Sequence, residues 1–200
     1  MPLSKPTEPA GILNRKQRTK TFNMENAKTD YESLIRICPD FPKPGIQFVD
    51  WMPVLNNADA FRHMLSDTLD LLKGEKFTKL AGLESRGLLL GVPMAVELGI
   101  PFVPIRKKGK LPGKVVKETY HLEYGLDSME IQDGMITPDD KVLIVDDLLA
   151  TGGTIGAANS LVSRFTSNYK DLFLIELMEL GGRSKLECPF FTLLKMYGIY

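Results

Sequence analysis

The sequence predicts an α/β protein with an open parallel sheet flanked by helices. Short apolar runs recur along the chain, and segments with the apolar period of a helix separate several of them. Strands that alternate with amphipathic helices form βαβ units, which place their strands in parallel. The length of 200 residues suits one domain whose core is large enough to fold unaided.

The composition excludes several classes of protein. Because 25 basic residues balance 25 acidic ones, a protein that binds a broad anionic surface such as duplex DNA is disfavoured. Two cysteines are too few for a disulfide framework, so a reducing compartment is expected. The chain lacks an apolar run of the roughly 18–20 residues that cross a bilayer, and its start lacks the apolar segment of a secretory signal. We therefore expect a cytoplasmic protein that binds neither membranes nor nucleic acid.

Residues 1–30 are predicted to be a disordered N-terminal extension. They contain Pro2, Pro6 and Pro9 and more basic than acidic residues, without the apolar period of a helix or a strand. A segment of this composition buries too little apolar surface to offset the entropy lost on ordering. We predict that residues 31–200 form the folded domain.

The first part of that domain is predicted to contain two helices separated by an irregular, proline-rich segment. Tyr31 to Ile37 predicts a short helix that ends at Cys38-Pro39, because proline disfavours helical backbone angles in the residue before it. Asp40 to Gly45 is too rich in proline for a regular element and leads into Ile46 to Val49. A helical apolar stripe then extends over Ala58 to Leu72.

Strands and helices alternate in the rest of the chain. The predicted strands are Lys79 to Leu83, Pro101 to Ile105, Val142 to Val145 and Leu172 to Leu177, with helices near Leu88 to Leu98 and Ile155 to Phe165. Ligands of open α/β sheets bind outside the carboxyl ends of the strands. The segments that follow these strands are therefore the candidates for a functional site.

The segment from Val142 to Thr154 is the most informative of them. Four branched apolar residues predict a buried strand, with Asp146 and Asp147 at its end. The loop Thr151-Gly152-Gly153-Thr154 then leads into a helix rich in small residues. Glycines let backbone amides surround a phosphate, and the N-terminus of a helix favours negative charge.

Two carboxylates would repel a phosphate held directly against them. They suit a ligand that carries hydroxyl groups, or Mg²⁺, one sugar ring away from the phosphate. A ribose 5-phosphate meets both requirements if its phosphate occupies the glycine loop and its hydroxyls contact Asp146 and Asp147. Taken alone, the segment also fits a strand end with two solvated acids and a helix cap.

Two further segments offer positive charge or backbone donors to an anion. Gly82-Leu83-Glu84-Ser85-Arg86-Gly87 lies at another junction of strand and helix, although an exposed Ser-Arg pair is also common on loops. Arg106 to Lys117 holds six cations and no acid. It fits a solvated loop or a nucleic-acid patch, but it lacks aromatic residues to stack on bases, and a polyphosphate is an equally suitable partner.

The run from Val142 to Thr154 resembles the phosphoribosyl pyrophosphate (PRPP) motif of the type I phosphoribosyltransferase family, and the resemblance extends from about Tyr31 to Leu194. The segments are most similar to adenine-specific members. The resemblance implies the family's open sheet, a small hood at about residues 31–55 and a mobile catalytic loop at about residues 107–128. It also implies purine salvage, in which adenine and PRPP give AMP and pyrophosphate with Mg²⁺ as cofactor.

The same resemblance assigns PRPP to three segments. Ser85 and Arg86 would hold the pyrophosphate, and Lys110 would lie near it. Asp146 and Asp147 would bind the ribose and Mg²⁺, the metal directly or through water. The implied PRPP-binding residues are Asp146, Asp147, Ala150, Thr151, Gly152, Gly153, Thr154, Ser85, Arg86, Arg106, Lys107 and Lys110. Since Arg106 and Lys107 belong to a segment that reaches a neighbouring subunit's site in the family, a homodimer is implied.

The catalytic and base-binding roles follow from the resemblance as well. Glu123 would be the acid or base near purine N9, Tyr124 would cover the reacting centre, and Arg86 would stabilise the departing pyrophosphate. Adenine would bind to Gln47, Phe48 and Val49. The Phe48 ring would stack on the purine, and the backbone of this segment would contact the edge of the base.

Two positions depart from the family pattern. Many relatives have a charged residue, often arginine, where Val49 stands, and an aromatic residue where Leu88 stands. Contacts through main-chain atoms survive the first change, but a side-chain role there is lost. Leu88 removes no donor that the site needs.

Three alternatives remain open. A 6-oxopurine phosphoribosyltransferase would require a side-chain donor to O6, and the hood has no obvious lysine for it after Lys43. A PRPP- or purine-sensing nucleic-acid regulator on the same fold would require an added binding element. An inactive paralogue that serves as a subunit would have the same sequence pattern.

Overall fold

The computed structural model describes residues 30–122 and 125–199, apart from the side chains of residues 121, 122, 125 and 126. The predicted extension therefore lies outside the described residues except for Asp30, and so do Glu123 and Tyr124. The helices and strands are β1 (Arg36–Pro39), β2 (Gln47–Asp50), α1 (Met52–Leu55), α2 (Ala58–Asp70), β3 (Lys79–Leu83), α3 (Arg86–Leu98), β4 (Phe102–Lys107), β5 (Val115–Leu122), β6 (Gly125–Gln132), β7 (Val142–Leu149), α4 (Gly153–Val162), β8 (Tyr169–Leu177) and β9 (Phe190–Met196).

Among the described residues, seven strands form one sheet in the order β5-β6-β4-β3-β7-β8-β9, and β1 and β2 form a separate antiparallel ribbon. Strands β4, β3, β7, β8 and β9 run parallel, whereas β6 pairs antiparallel with β4 and β5. The chain passes from β3 to β4 on one side and later to β7 on the other side. This reversal opens a crevice at the carboxyl ends of these strands. The predicted α/β class with an open, mostly parallel sheet is confirmed.

Helices and the hood cover both faces of the sheet. Side chains alternate between the two faces along β7. Leu143 and Val145 pack in the core that includes the hood, α2 and α3, whereas Val142 and Ile144 pack in the core that includes α4. Burial on both faces explains why the first four residues of this parallel strand, Val142 to Val145, are all apolar. No helix in the described part of the chain combines the length and hydrophobicity needed to cross a membrane.

The helix predicted over Tyr31 to Ile37 is wrong. Glu32–Leu34 forms a 3-10 turn, and the chain then enters β1, which pairs with β2. Arg36 also forms an ion pair of 2.6 Å with Asp50 across the ribbon. Since pairing with a distant strand satisfies the backbone groups of this segment, the tertiary context overrides the local pattern.

The other predicted elements agree with the structure to within a few residues. Helix α2 ends at Asp70, and the Asn57 side chain caps its start by accepting hydrogen bonds from the amides of Asp59 and Ala60. Asp40 to Gly45 contains neither helix nor strand, as expected. The sequence analysis did not predict α1, β5, β6 or β9. All of β5 and part of β6 lie in the segment assigned to a mobile loop, and its mobility stays a prediction.

A buried polar cluster joins α4 to β8. The Asp171 carboxylate accepts hydrogen bonds from Asn159 Nδ2 at 3.0 Å and from Cys188 Sγ at 3.2 Å. Burial raises the pKa of Asp171 to about 6, although both hydrogen bonds oppose the increase. Burial and the charge of Asp171 raise the pKa of Cys188 to about 12. The surroundings therefore make the charged form of each group less favourable than it is in water.

Replacing Asp171 should change how stability depends on pH. The folded-state pKa of about 6 exceeds the ordinary value of 3.8, so the free energy of unfolding falls as pH rises through this interval. At about 1.4 kcal/mol per pKa unit, the loss is at most roughly 3 kcal/mol. Asp171→Asn avoids this loss, so its stability relative to wild type should increase between about pH 4 and about pH 7. Urea unfolding at a series of pH values measures this difference.

Asp140→Asn is the matched control with the opposite sign. Although burial opposes the shift, hydrogen bonds from Thr137 and Thr78 lower the pKa of Asp140 to about 2. Its carboxylate therefore stabilises the fold above the unfolded-state pKa, and Asp140→Asn should lower the free energy of unfolding near neutral pH. Equal pH dependence of Asp171→Asn and wild type would contradict the role assigned to the buried carboxyl.

Candidate active site

A cavity of about 410 Å³ opens at the carboxyl ends of β3, β4 and β7. It is lined by Leu83, Glu84, Ser85, Arg86, Ile105, Arg106, Lys107, Tyr120, Asp127, Met129, Asp146, Asp147 and Thr154. A smaller cavity of about 70 Å³ is lined by residues 148–155 together with Asp146. Asp146 and Thr154 line both cavities. The fold thus brings most of the predicted PRPP-binding residues to one edge of the sheet.

The two acids lie inside β7 and not after its end, which corrects the predicted strand boundary. Pairing with β8 continues as far as Leu149 opposite Glu176, so the backbone stays extended through Asp146 and Asp147. Successive side chains of a strand point to opposite faces. Asp146 is half-buried beside the cavities, whereas Asp147 is 4% exposed and points toward the hood.

Asp147 is held by two donors on one oxygen. Its Oδ2 accepts a hydrogen bond of 2.7 Å from Trp51 Nε1 and lies 2.9 Å from Arg86 Nε. Burial raises the pKa of Asp147, while Arg86 and Trp51 oppose the increase. Burial and the charge of Asp147 raise the pKa of Asp146 well above its ordinary value. Two carboxylates side by side at low polarity favour a cation or several hydrogen-bond donors nearby.

Sequence reasoning missed the role of Trp51 in the site. Its side chain is buried in the core. The contact with Asp147 joins residues 96 positions apart. The sequence signal for such a contact is weak, since it consists only of the rule that a buried indole N–H needs an acceptor.

Arg86 connects the hood to the acids of β7. Besides Asp147, its guanidinium contacts the carbonyl oxygen of Val49, to which Nη1 donates at 3.2 Å, and the ring of Phe48, whose centroid lies 4.8 Å from Cζ. The edge of Phe41 contacts the same ring, with 5.0 Å between centroids. Arg86 therefore bridges the predicted adenine-binding and PRPP-binding segments.

Of the predicted adenine-binding residues, Phe48 lines a separate opening in the hood. A cavity of about 480 Å³ is lined there by Cys38, Pro39, Asp40, Phe41, Phe48 and Asp50. Phe48 thus faces open space, as a stacking residue requires. Val49 is buried and its carbonyl already binds Arg86, and Gln47 is half-buried on β2.

The cations of the large cavity have acidic partners in the same chain. Arg106 forms two hydrogen bonds with Glu84, at 3.1 and 3.2 Å, and Lys107 Nζ lies 3.3 Å from Asp127. Although burial opposes it, the hydrogen bond from Arg106 lowers the pKa of Glu84. Within the described residues, Lys110 is not part of the cavity lining, and its carbonyl accepts a hydrogen bond from Arg106. Its expected place beside a pyrophosphate stays a prediction.

Two glycines allow the backbone to approach closely at this site. Gly152 precedes α4 with a left-handed φ of 81°, and a Cβ there would lie 2.8 Å from the Gly182 carbonyl oxygen. At the start of α3, a Cβ on Gly87 would lie 2.5 Å from the Val145 carbonyl oxygen and 3.1 Å from Asp146 Oδ1. Gly87 therefore fixes the distance between the start of α3 and the acid-bearing strand, and Gly152 fixes the distance between the start of α4 and the turn at Gly182–Lys185.

The donor set fits Mg²⁺ bound together with a phosphorylated ligand. No cluster of three or more His, Cys, Asp or Glu side chains able to hold a metal occurs in residues 30–122 and 125–199. Mg²⁺ commonly takes one or two protein carboxylates and completes its shell with phosphate oxygens and water. Asp146 lines both cavities, and Asp147 lines the larger one.

Comparisons with known proteins identify the family. The phosphoribosyl transferase domain matches residues 53–167. An adenine phosphoribosyltransferase of Parvibaculum lavamentivorans is 47% identical over 159 residues, which cover 79% of this chain and 91% of that protein. The chain belongs to the adenine phosphoribosyltransferase family. It is therefore an enzyme of purine salvage, as the sequence predicted, and the 6-oxopurine and nucleic-acid-binding alternatives are not favoured.

Solved structures of the family have the same fold. The adenine phosphoribosyltransferase of Thermoanaerobacter pseudethanolicus is 45% identical, with a TM-score of 0.80, over 83% of this chain and 98% of its own. The Saccharomyces cerevisiae enzyme is 42% identical, with a TM-score of 0.78, over 82% of this chain and 96% of its own. That structure was determined with adenine and an imino-altritol bisphosphate.

Substitution of Gly87 tests the close contact between α3 and β7. Gly87→Ala should lower phosphoribosyl transfer at least about tenfold and destabilise the fold by roughly 1–3 kcal/mol, because the new methyl group overlaps the Val145 carbonyl. Gly156→Ala is the matched control, since a Cβ there meets nothing within 4 Å. It should keep full activity and gain up to about 1 kcal/mol from helix propensity. Steady-state rates and thermal unfolding measure both variants, and normal activity of Gly87→Ala would refute the steric argument.

Proposed function

We propose that the protein transfers the phosphoribosyl group of PRPP to N9 of adenine, forming AMP and releasing pyrophosphate, with Mg²⁺ as cofactor. The observation that carries this proposal is the pair of adjoining cavities at the ends of β3, β4 and β7, with Asp146 and Thr154 on both. The binding of adenine and a sugar bisphosphate by the yeast relative supports the same substrate classes here.

The cavities suit the parts of PRPP. The smaller one offers the Ala150–Thr154 loop and the N-terminus of α4 to the 5-phosphate. The larger one offers Ser85 and Arg86 to the pyrophosphate. The ribose would lie between these ends, where Asp146 can accept hydrogen bonds from its hydroxyls. Asp147 adds negative charge beside it.

Catalysis would rest on positioning and on charge. Positive charge develops at C1 of the ribose as the bond to pyrophosphate breaks, and Asp146 and Asp147 stabilise it. Arg86 binds the departing pyrophosphate. Mg²⁺, held at Asp146 and Asp147 with pyrophosphate oxygens, would neutralise part of the leaving-group charge.

The base would bind in the hood, with the Phe48 ring on its face and the backbone of Gln47 to Val49 at its edge. In the described structure Arg86 covers the Phe48 ring, so a move of Arg86 to the pyrophosphate would free that face for the purine. Glu123 would exchange the N9 proton and Tyr124 would cover the reacting centre. These two roles rest on the resemblance of residues 119–125 to the family's catalytic loop.

The cytoplasm is the proposed location. Cys38 and Cys188 are both free thiols, which suits a reducing compartment.

An assay of pyrophosphate release with PRPP, Mg²⁺ and each of adenine, hypoxanthine, guanine, xanthine and orotate tests the proposed function. Adenine should be preferred, with kcat/KM about 10⁴-fold above that of hypoxanthine, because a 6-oxo group breaks a buried hydrogen-bond pair. Comparable turnover of hypoxanthine would overturn the assignment of adenine. Absence of turnover with every base would indicate an inactive subunit.

The proposed assembly is a homodimer in which Arg106 and Lys107 complete the neighbour's site. Helix α3 exposes Leu89, Val92 and Val96 to 46%, 48% and 74%, and their spacing places them on one face of the helix. Adjoining exposed apolar residues of this kind often form subunit contacts. The Lys107 side chain is 61% exposed and can reach beyond its own subunit.

A charge on the α3 face should separate the subunits. Val96→Glu places a carboxylate in the proposed contact, so sedimentation should show a monomer with activity reduced at least about tenfold, whereas wild type sediments as a dimer. Ser160→Glu, at an exposed position of α4, is the matched control and should stay dimeric and active. A fully active wild-type monomer at assay concentration would contradict the proposal.

A further inference from the structure

The indole of Trp51 reaches from the hood to the acids of β7. Trp51 follows β2 directly and is 1% exposed, so its position is fixed by the core. Its Nε1 donates to Asp147 Oδ2 at 2.7 Å. A hydrogen bond to a charged group is stronger than one between neutral groups, and its loss inside a protein is correspondingly costly.

The two donors of Asp147 differ in their surroundings. Trp51 is enclosed in the core, whereas the Arg86 side chain is 23% exposed and lines the large cavity. Arg86 also has two contacts with the hood, to Val49 and Phe48. An anion in the cavity can therefore attract Arg86 away from Asp147, whereas Trp51 remains hydrogen-bonded to Asp147.

If Arg86 moved away, Asp147 would lose its positively charged partner. A buried carboxylate that loses its counter-charge is strongly destabilised unless other donors satisfy it. Asp147 is 4% exposed while Arg86 is in place, and water from the large cavity that replaced the guanidinium would bring no positive charge. A donor that remains on Oδ2 keeps the carboxylate in place and lowers the cost of releasing Arg86.

We propose that Trp51 is a positioning residue for Asp147, whose indole N–H holds this carboxylate when Arg86 turns from it to the pyrophosphate of PRPP. The inference rests on the proposed function, because it takes PRPP as the anion that attracts Arg86. Without the indole donor, Asp147 depends more on Arg86, its cationic partner among the described residues, and Arg86 is released less easily. Trp51 therefore favours PRPP binding without touching the substrate.

Kinetics of two variants at this position test the inference. Trp51→Phe removes the N–H donor and keeps an aromatic ring, and replacement of Trp51 by benzothienylalanine removes the donor while keeping the shape of the indole. Both should raise the KM for PRPP about tenfold, as expected for a lost hydrogen bond to a charged group, and change the KM for adenine less than about twofold. The isosteric replacement decides the outcome if Trp51→Phe does not fold.

Tyr31→Phe is the matched control. It removes a part-buried hydrogen bond of 3.0 Å from the hood to another aspartate, from Tyr31 to Asp67, which lies away from the large cavity. It should leave the KM for PRPP unchanged. An equal increase in Tyr31→Phe, or an equal increase in the KM values for adenine and PRPP at position 51, would show a general loss of hood stability and overturn the inference.

A spectroscopic signal of the wild-type enzyme follows the bond directly. Trp51 is the one tryptophan of the 200 residues, so its indole gives a unique ¹⁵N–¹H resonance. Asp147→Asn should move this resonance upfield, because a neutral acceptor replaces a charged one. When pyrophosphate with Mg²⁺ is added to wild type, the resonance should stay downfield of its position in Asp147→Asn if Trp51 remains bound to Asp147. A move to the position seen in Asp147→Asn would overturn the inference.

The two proposals fail in different ways. Wild-type turnover of adenine and PRPP decides the proposed function, independently of any change at position 51. If wild type is active but benzothienylalanine at position 51 leaves the KM for PRPP unchanged, the proposed function stands and the role of Trp51 falls.

Discussion

The carboxylate of Asp147 is the constraint on which the arrangement of the site depends. It is buried in β7, and a buried charge requires donors with good geometry. Trp51 supplies one donor from the hood and Arg86 supplies the other from the start of α3. The described strands of the hood form a ribbon that is not hydrogen-bonded to the main sheet. This polar junction therefore adds to apolar packing in fixing the hood above the carboxyl ends of the strands.

Each cation that lines the large cavity is paired with a carboxylate of the same chain. Arg86 pairs with Asp147, Arg106 with Glu84, and Lys107 with Asp127. A polyanionic ligand therefore competes with carboxylates for these cations instead of meeting unpaired charges. Such an exchange of partners moderates affinity, but it keeps long side chains ordered and so lowers the entropy lost when the ligand binds.

The sequence predicted those parts of the fold whose cause is local. Strands such as Val142 to Val145 are buried on both faces, which makes them apolar throughout and easy to recognise. Strand β9 has mostly half-buried residues without a regular burial pattern, and Tyr31 to Ile37 has a local pattern that pairing with β2 overrides.

For the candidate site too, the local motifs were predictable from the sequence and the long-range contacts were not. Its motifs follow strands in the sequence, whereas the contacts that organise it join distant residues. Arg86 and Val49 are 37 positions apart and Trp51 and Asp147 are 96 apart. No local pattern specifies such pairs. These pairs form because a buried carboxylate needs hydrogen-bond donors, and this need is apparent only when the fold encloses the carboxylate.

The pairing of the thiol of Cys188 with Asp171 has a practical consequence for chemical labelling. The thiolate is the form that reacts with alkylating reagents, and a pKa of about 12 keeps Cys188 protonated. Cys38 is half-buried on β1 and lines the hood cavity. Thiol reagents therefore discriminate against Cys188, and the unaltered chain offers the hood as the place to attach a dye or a spin label.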